Sequence, residues 1–249
     1  MSYSRGGRFF RRYNVRKHLA SASTIVFDLA GTLTPSVPAF AKSTAWGAYA
    51  SVVRPADVEA SVLALEAAED SARVACVERG SSWSFRRVLA DSGMPYRLEA
   101  VEAFIDTWRP GLRVPADISS RLRIIHDAGY RVGLVSNTIW PADWHGRLLE
   151  ADGARASFDL TVYSSSTPWA KPNQRIFAYA LRELGCDRAS DALFVGDRTF
   201  EDLDGAHLSG MKAVLVAMSL RAPAASQSNV GIFGLCWMGL SLGPYSEMM

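Results

Sequence analysis

Lysine is scarce in this chain. Only four of its 27 basic residues are lysines (Lys17, Lys42, Lys171, Lys212), and none stands between positions 43 and 170. A catalytic amine from that stretch is therefore excluded. Cysteine is scarcer still: Cys76, Cys186 and Cys236 are far apart and odd in number. This excludes a disulfide framework and fits a reducing, cytoplasmic setting. No Cys/His group has zinc spacing. The four histidines (His18, His126, His145, His207) are scattered, and none is assigned a role. A strong charge of one sign is also missing. The net charge of +2 gives no chain-wide attraction, and no nucleic-acid partner is expected. No membrane span is expected either, because the apolar, glycine-rich stretch 230–242 is too short to cross a bilayer.

Two local absences mark the ends. Residues 1–27 hold six basic side chains (Arg5, Arg8, Arg11, Arg12, Arg16, Lys17) and no acid. No apolar core of a secretory signal follows them, so residues 1–22 read as a solvated, flexible basic leader. After Arg221 the only charged residue is Glu247, and residues 222–249 read as an atypical apolar tail.

What is present is ample material for a core. Hydrophobic residues make up 49% of the chain and charged residues 21%, a balance that excludes a disordered polypeptide. A length of 249 residues suits one large domain, or a domain with an insertion.

Periodicity supplies the fold class. A helix over 116–128 places Ile118, Leu122 and Ile125 on one face, and Gly129 follows it. A buried strand over 130–135 comes next. A second helix over 174–184 carries Phe177, Leu181 and Leu184 and stops at Gly185. Strands are expected at 192–195 and 213–217. Short β-branched runs alternating with amphipathic helices predict an α/β fold: a three-layer, Rossmann-like parallel sheet with helices on both faces. Such sheets bind ligands beyond the carboxyl ends of their strands. Asp28, Ser136 and Asp197 each stand at such an end. Between 41 and 112 the strand signal disappears. Helices are expected there at 56–78, 84–91 and 98–108, with Pro110 and Gly111 as the return to the sheet.

Four segments carry chemistry. Residues 24–34 read T-I-V-F-D-L-A-G-T-L-T, an apolar strand ending in Asp28 and a tight turn. Residues 133–138 read G-L-V-S-N-T, residues 170–177 A-K-P-N-Q-R-I-F, and residues 194–206 F-V-G-D-R-T-F-E-D-L-D-G-A. In this order and at these separations they resemble the motifs of the haloacid dehalogenase (HAD) superfamily, which is mostly phosphatases. The resemblance covers about residues 24–218. It implies an HAD-like core over 23–40 and 113–221, with a helical cap over 41–112 that closes on the site and selects the substrate. It implies a small phosphorylated metabolite as substrate, attacked by Asp28 to give an aspartyl-phosphate. Ser136 (hydroxyl) and Asn137 (backbone N–H) would bind the phosphoryl oxygens, and Lys171 would supply fixed positive charge. Mg²⁺ would be held by Asp28, Asp197 and the backbone carbonyl of Ala30, with Asp202 acting through water. Glu201 and Asp204 read as surface neighbours.

The chain departs from the family pattern at one position. Two residues after the nucleophile, relatives usually carry a second Asp that protonates the leaving group and then activates water. This chain has Ala30. Such acid–base help is typically worth about 10²–10⁴-fold. Two alternatives follow from that loss. Phosphonoacetaldehyde hydrolases share the D-x-A-G-T string but use a cap lysine, and only Lys42 stands anywhere near. A catalytically weakened HAD-like protein that binds a phosphorylated ligand is the other. Trp140, Pro141 and Trp144 read either as pocket walls or as loop packing. Arg86 and Arg87 read mainly as a solvated helix face.

Overall fold

The computed structural model describes residues 21–35 and 40–216. The basic leader (all but its last two residues), the apolar tail and Cys236 lie outside the described residues. The elements run β1 (Thr24–Phe27), α1 (Phe40–Val53), α2 (Val58–Arg79), α3 (Phe85–Asp91), α4 (Leu98–Trp108), α5 (Ala116–Asp127), β2 (Arg131–Ser136), α6 (Ala142–Ala151), β3 (Leu160–Tyr163), α7 (Gln174–Glu183), β4 (Ala192–Gly196), α8 (Gly205–Leu208) and β5 (Lys212–Leu215).

All strand pairs are parallel, in the order β3-β2-β1-β4-β5. Alternation along the strands makes two cores, because successive side chains point to opposite faces. Ile25 and Phe27 pack with Ile118, Leu122 and Ile125 of α5 on one face. Val26 packs with Ile176, Phe177 and Leu181 of α7 on the other. This is the expected three-layer α/β architecture. The chain runs outward from β1 in one direction through β2 and β3, then returns to place β4 on β1's other edge. The strand order therefore reverses between β1 and β4, and a crevice opens beyond their carboxyl ends.

Between β1 and α5 stand four helices with a core of their own. Trp46 is fully buried, within 4.3–5.8 Å of Phe104, Phe85 and Tyr49 ring centroids. Ile139 and Trp140, from the loop after β2, join the same cluster and fasten the helical block to the sheet. Trp140 is thus packing rather than pocket wall. Among the described residues, no helix is long and apolar enough to cross a membrane.

Candidate active site

The crevice is built from two turns that lie face to face. The amide of Asp28 donates to Val195 O at 2.9 Å, so β1–β4 pairing continues to the strand end and fixes the direction of the carboxylate's backbone. The chain then turns back: Leu33 and Thr34 amides donate to Leu29 O at 2.9 and 3.0 Å. Gly31 adopts φ +88°, and a Cβ there would collide with the Asp197 carboxylate. Only glycine meets both demands. Thr32 Oγ1 donates to Asp197 Oδ1 at 3.4 Å and ties the two turns together.

Lys171 joins them from a third direction. Its Nζ donates to Asp28 Oδ1 and to Asp202 Oδ1, each at 2.6 Å. All three side chains are buried. The other oxygen of Asp202 accepts the backbone N–H groups of Asp197 (3.1 Å) and Arg198 (3.0 Å). Gly196 makes room for this, since a side chain there would overlap the Asp202 carboxylate. The segment Thr199–Asp204 is a π-helix, a wide turn often found at functional sites. With both oxygens engaged, Asp202 orients Lys171 and the loop after β4.

The charges are unbalanced. Carboxylate oxygens of Asp28, Asp197 and Asp202 lie within 4.8 Å of one another, against the ammonium of Lys171 and the nearby guanidinium of Arg198, which Glu201 already engages. Burial raises the Asp28 pKa from its usual 3.8 to about 6, with Lys171 pulling it down and Asp202 and Asp197 pushing it up. Burial and then Asp202 raise Asp197. Burial opposes the charge on Lys171, but Asp28 and Asp202 outweigh it and hold the ammonium above its usual range. Such a cluster suits added positive charge, and its all-oxygen donors suit a hard cation.

A cavity of about 150 Å³ opens onto this cluster. Asp28, Ala30, Asn137, Lys171 and Asp202 line it, as expected from the sequence. Ser136 is buried at the end of β2 and is not among the lining residues. Ala30 is exposed on the turn and forms part of the wall. Four further residues line the cavity that sequence reasoning did not place there: Arg73 and Cys76 from α2, Trp83 from the segment after it, and Arg198. Glu201 also lines it, half-buried and accepting from Arg198 Nη1 at 3.2 Å. The expectation of a surface Glu201 is corrected: the π-helix turns it inward. Arg86 lies 4.0 Å over the Tyr96 ring and Arg87 pairs with Asp91 at 2.7 Å, both away from the cavity lining. Lys42 pairs with Asp70 at 2.7 Å and is likewise not among the lining residues.

The family model for haloacid dehalogenase-like hydrolases matches residues 22–210. The chain belongs to this hydrolase family. A glyceraldehyde 3-phosphate phosphatase of Methanothermobacter thermautotrophicus is 38% identical over 109 residues, 44% of this chain and 47% of that protein. Pyrimidine 5'-nucleotidase YjjG of Escherichia coli is 43% identical over 74 residues, 30% of this chain and 31% of that protein. This HAD-like chain thus aligns with half or less of either relative. In fold it is similar to the HAD phosphatase from Thermococcus onnurineus, with a TM-score of 0.59 at 20% identity, covering 81% of this chain and 89% of that one.

Proposed function

We propose that this HAD-family chain is a phosphatase of small phosphorylated metabolites that works through a covalent phosphoryl group on Asp28. The observation that carries the reading is the buried Asp28–Lys171–Asp202 arrangement at the strand-order reversal, opening onto a cavity. Cys76 and Cys186 are free of disulfides, which supports a cytoplasmic setting.

Mg²⁺ fits the donor set. Asp28 and Asp197 offer carboxylate oxygens in an over-negative cluster. They would hold the ion together with the Ala30 carbonyl, and Asp202 would reach it through water. The ion, when bound, neutralises charge on the phosphoryl group.

The chain's own residues then divide the work. Asp28 attacks phosphorus in line, the ester oxygen departs, and the phosphoryl group becomes bonded to the aspartate. Lys171 balances the equatorial charge, and Asp202 keeps its ammonium in place. Ser136 and the Asn137 amide are proposed phosphoryl contacts at the end of β2. The helical block over 41–112 serves as the cap that excludes water and shapes the pocket. Water finally attacks phosphorus, releasing inorganic phosphate and free Asp28.

Lys42 is tied to Asp70, which weighs against Schiff-base cleavage of a carbon–phosphorus bond. Retention of Asp28, Lys171 and Asp197 together weighs against a pure binding module. The test is a Mg²⁺-supplemented screen of purified protein against phosphate esters, acyl phosphates and phosphonoacetaldehyde. Turnover of the first two classes is expected. Turnover of phosphonoacetaldehyde alone, or of nothing, overturns the reading.

A further inference from the structure

The helical block is tied to the chain on either side of Lys171 by contacts outside the cavity. Helix α2 brings Cys76 to the cavity wall and is closed by Gly80, whose N–H donates to Cys76 O at 2.7 Å. Gly80 takes φ +57°, the left-handed turn that ends many helices. Its carbonyl accepts two hydrogen bonds from the lysine segment: the Ala170 N–H at 3.2 Å and Asn173 Nδ2 at 3.0 Å. Those donors stand one residue before Lys171 and two after it. Ser81 and Trp169 form an antiparallel bridge, and the Ser82 N–H donates to Pro168 O at 3.2 Å. Trp83, the next residue, is back on the cavity wall.

Asn173 makes two bonds of different kinds. Its Oδ1 accepts the Arg175 N–H at 3.0 Å and caps α7. Its Nδ2 is the donor to the Gly80 carbonyl. The two residues fit closely: a Cβ on Gly80 would lie 2.8 Å from Asn173 Cβ. Neither is among the cavity's lining residues.

We propose that Asn173 is a positioning residue: its donor to the Gly80 carbonyl latches the helical block to the lysine segment, so that the cavity wall and the Lys171 ammonium are set in one frame. This rests on the phosphatase reading for what Lys171 does, and adds how Lys171 is placed against the wall that faces it. The other holds on Lys171 do not reach the helical block. Asn137 comes from the loop after β2, and Asp28 and Asp202 come from β1 and the loop after β4. The Ala170 N–H still satisfies the Gly80 carbonyl when the Asn173 donor is removed. Loss of the donor therefore loosens the latch without leaving a buried carbonyl unpaired.

The experiment compares Asn173→Ser and Asn173→Ala with wild type, on the full chain with Mg²⁺. Serine caps a helix about as well as asparagine but has no amide donor, and alanine has neither. Both variants should lower kcat for p-nitrophenyl phosphate by a similar factor of about tenfold, with KM nearly unchanged. That is less than the roughly 10²-fold a full ångström of misplacement carries. The melting temperature should fall clearly only in Asn173→Ala. Amide exchange read by mass spectrometry should quicken by about two- to tenfold at 80–83 and 168–171 in Asn173→Ser, the scale of one neutral hydrogen bond, and stay as in wild type along α7. A kcat loss that follows the melting temperature, present in Ala and absent in Ser, overturns the latch and leaves Asn173 a helix cap. Unchanged exchange at 80–83 in Asn173→Ser also overturns it. A wild type that turns over no phosphate ester overturns the phosphatase reading, and the exchange comparison then decides the latch by itself.

Discussion

Asn137 clasps the backbone of Lys171 with both ends of its side-chain amide. Its Oδ1 accepts the Lys171 N–H and its Nδ2 donates to the Lys171 carbonyl, each at 2.8 Å. Lys171 is thereby held at its backbone by the loop after β2 and at its ammonium by β1 and the loop after β4. The clasp predicts a sensitive position. Asn137→Ala should lower kcat by about 10²-fold, the penalty that a small misplacement of a catalytic group can carry. Asn137→Asp, which sets a carboxylate oxygen against the Lys171 carbonyl and adds negative charge beside the acidic cluster, should be no more active than Ala. Steady-state kinetics with p-nitrophenyl phosphate and a circular dichroism spectrum check this, and full activity in Asn137→Ala would remove the positioning role.

Metal dependence follows from the over-negative cluster. Activity should vanish on EDTA treatment and return with Mg²⁺. Asp197→Asn should raise the Mg²⁺ concentration needed for half-activity by tenfold or more, the lower end of what losing a ligand-shell partner typically costs. Isothermal titration of Mg²⁺ gives a second readout. EDTA-treated protein that is fully active would show the cation assignment to be wrong.

Ala30 gives a leaving-group prediction. It is exposed and lines the cavity with a side chain that can donate no proton. Aryl and acyl phosphates, which leave as stabilised anions, should therefore react far faster than alkyl phosphates. Ala30→Asp should raise alkyl phosphate turnover by up to about 10²-fold, the low end of acid–base gains, because the wall was not shaped for a carboxylate. The gain should be smaller for p-nitrophenyl phosphate. A flat leaving-group series in wild type, with no gain in the variant, would mean that another group supplies the proton.

His145 carries a pH dependence of stability. It is buried, stacked between Trp140 and Tyr163, with Nε2 3.0 Å from Thr138 Oγ1. Burial lowers its pKa from 6.5 to about 4. As pH falls through 6.5, the unfolded chain takes up a proton that the folded chain refuses until about pH 4. The stability this position contributes is complete above pH 6.5 and is lost as pH falls towards 4, by about 3 kcal/mol in all. His145→Gln should flatten that loss. Asp28, raised by folding, acts in the opposite sense in both proteins and cancels in the comparison. Urea midpoints at pH 7.5 and 5 provide the check, and equal pH dependence in the two proteins would contradict it.

The parts of the fold that were legible in the sequence are those specified locally. The strands at β1, β2 and β4 are apolar runs ended by polar residues, and α5 and α7 carry clear apolar stripes. β3, L-T-V-Y, is short and half-polar, and its strand character comes from pairing with β2. α1 was missed because Trp46 and Tyr49 are surrounded by Ser, Gly and Ala and form no stripe. In the site, Asp28, Lys171 and Asp202 were legible only through the resemblance of their segments to the HAD motifs. Arg73 and Trp83 were not, because their place depends on how the helical block docks. Glu201 was misread because a π-helix, not an α-helix, sets the direction of its side chain. The side-chain clasp of Asn137 had one available signal, an amide side chain directly after Ser136 at a strand end.

The central claim is covalent chemistry on Asp28. The most direct test mixes the protein with Mg²⁺ and an acyl or aryl phosphate, quenches in acid, and locates the phosphoryl group by peptide mass spectrometry. The account predicts a phosphoryl group on the peptide holding Asp28, at the Asp28 carboxylate, and neither label nor turnover in a folded Asp28→Asn variant. Undiminished turnover in that variant, or a label on another residue, would contradict it.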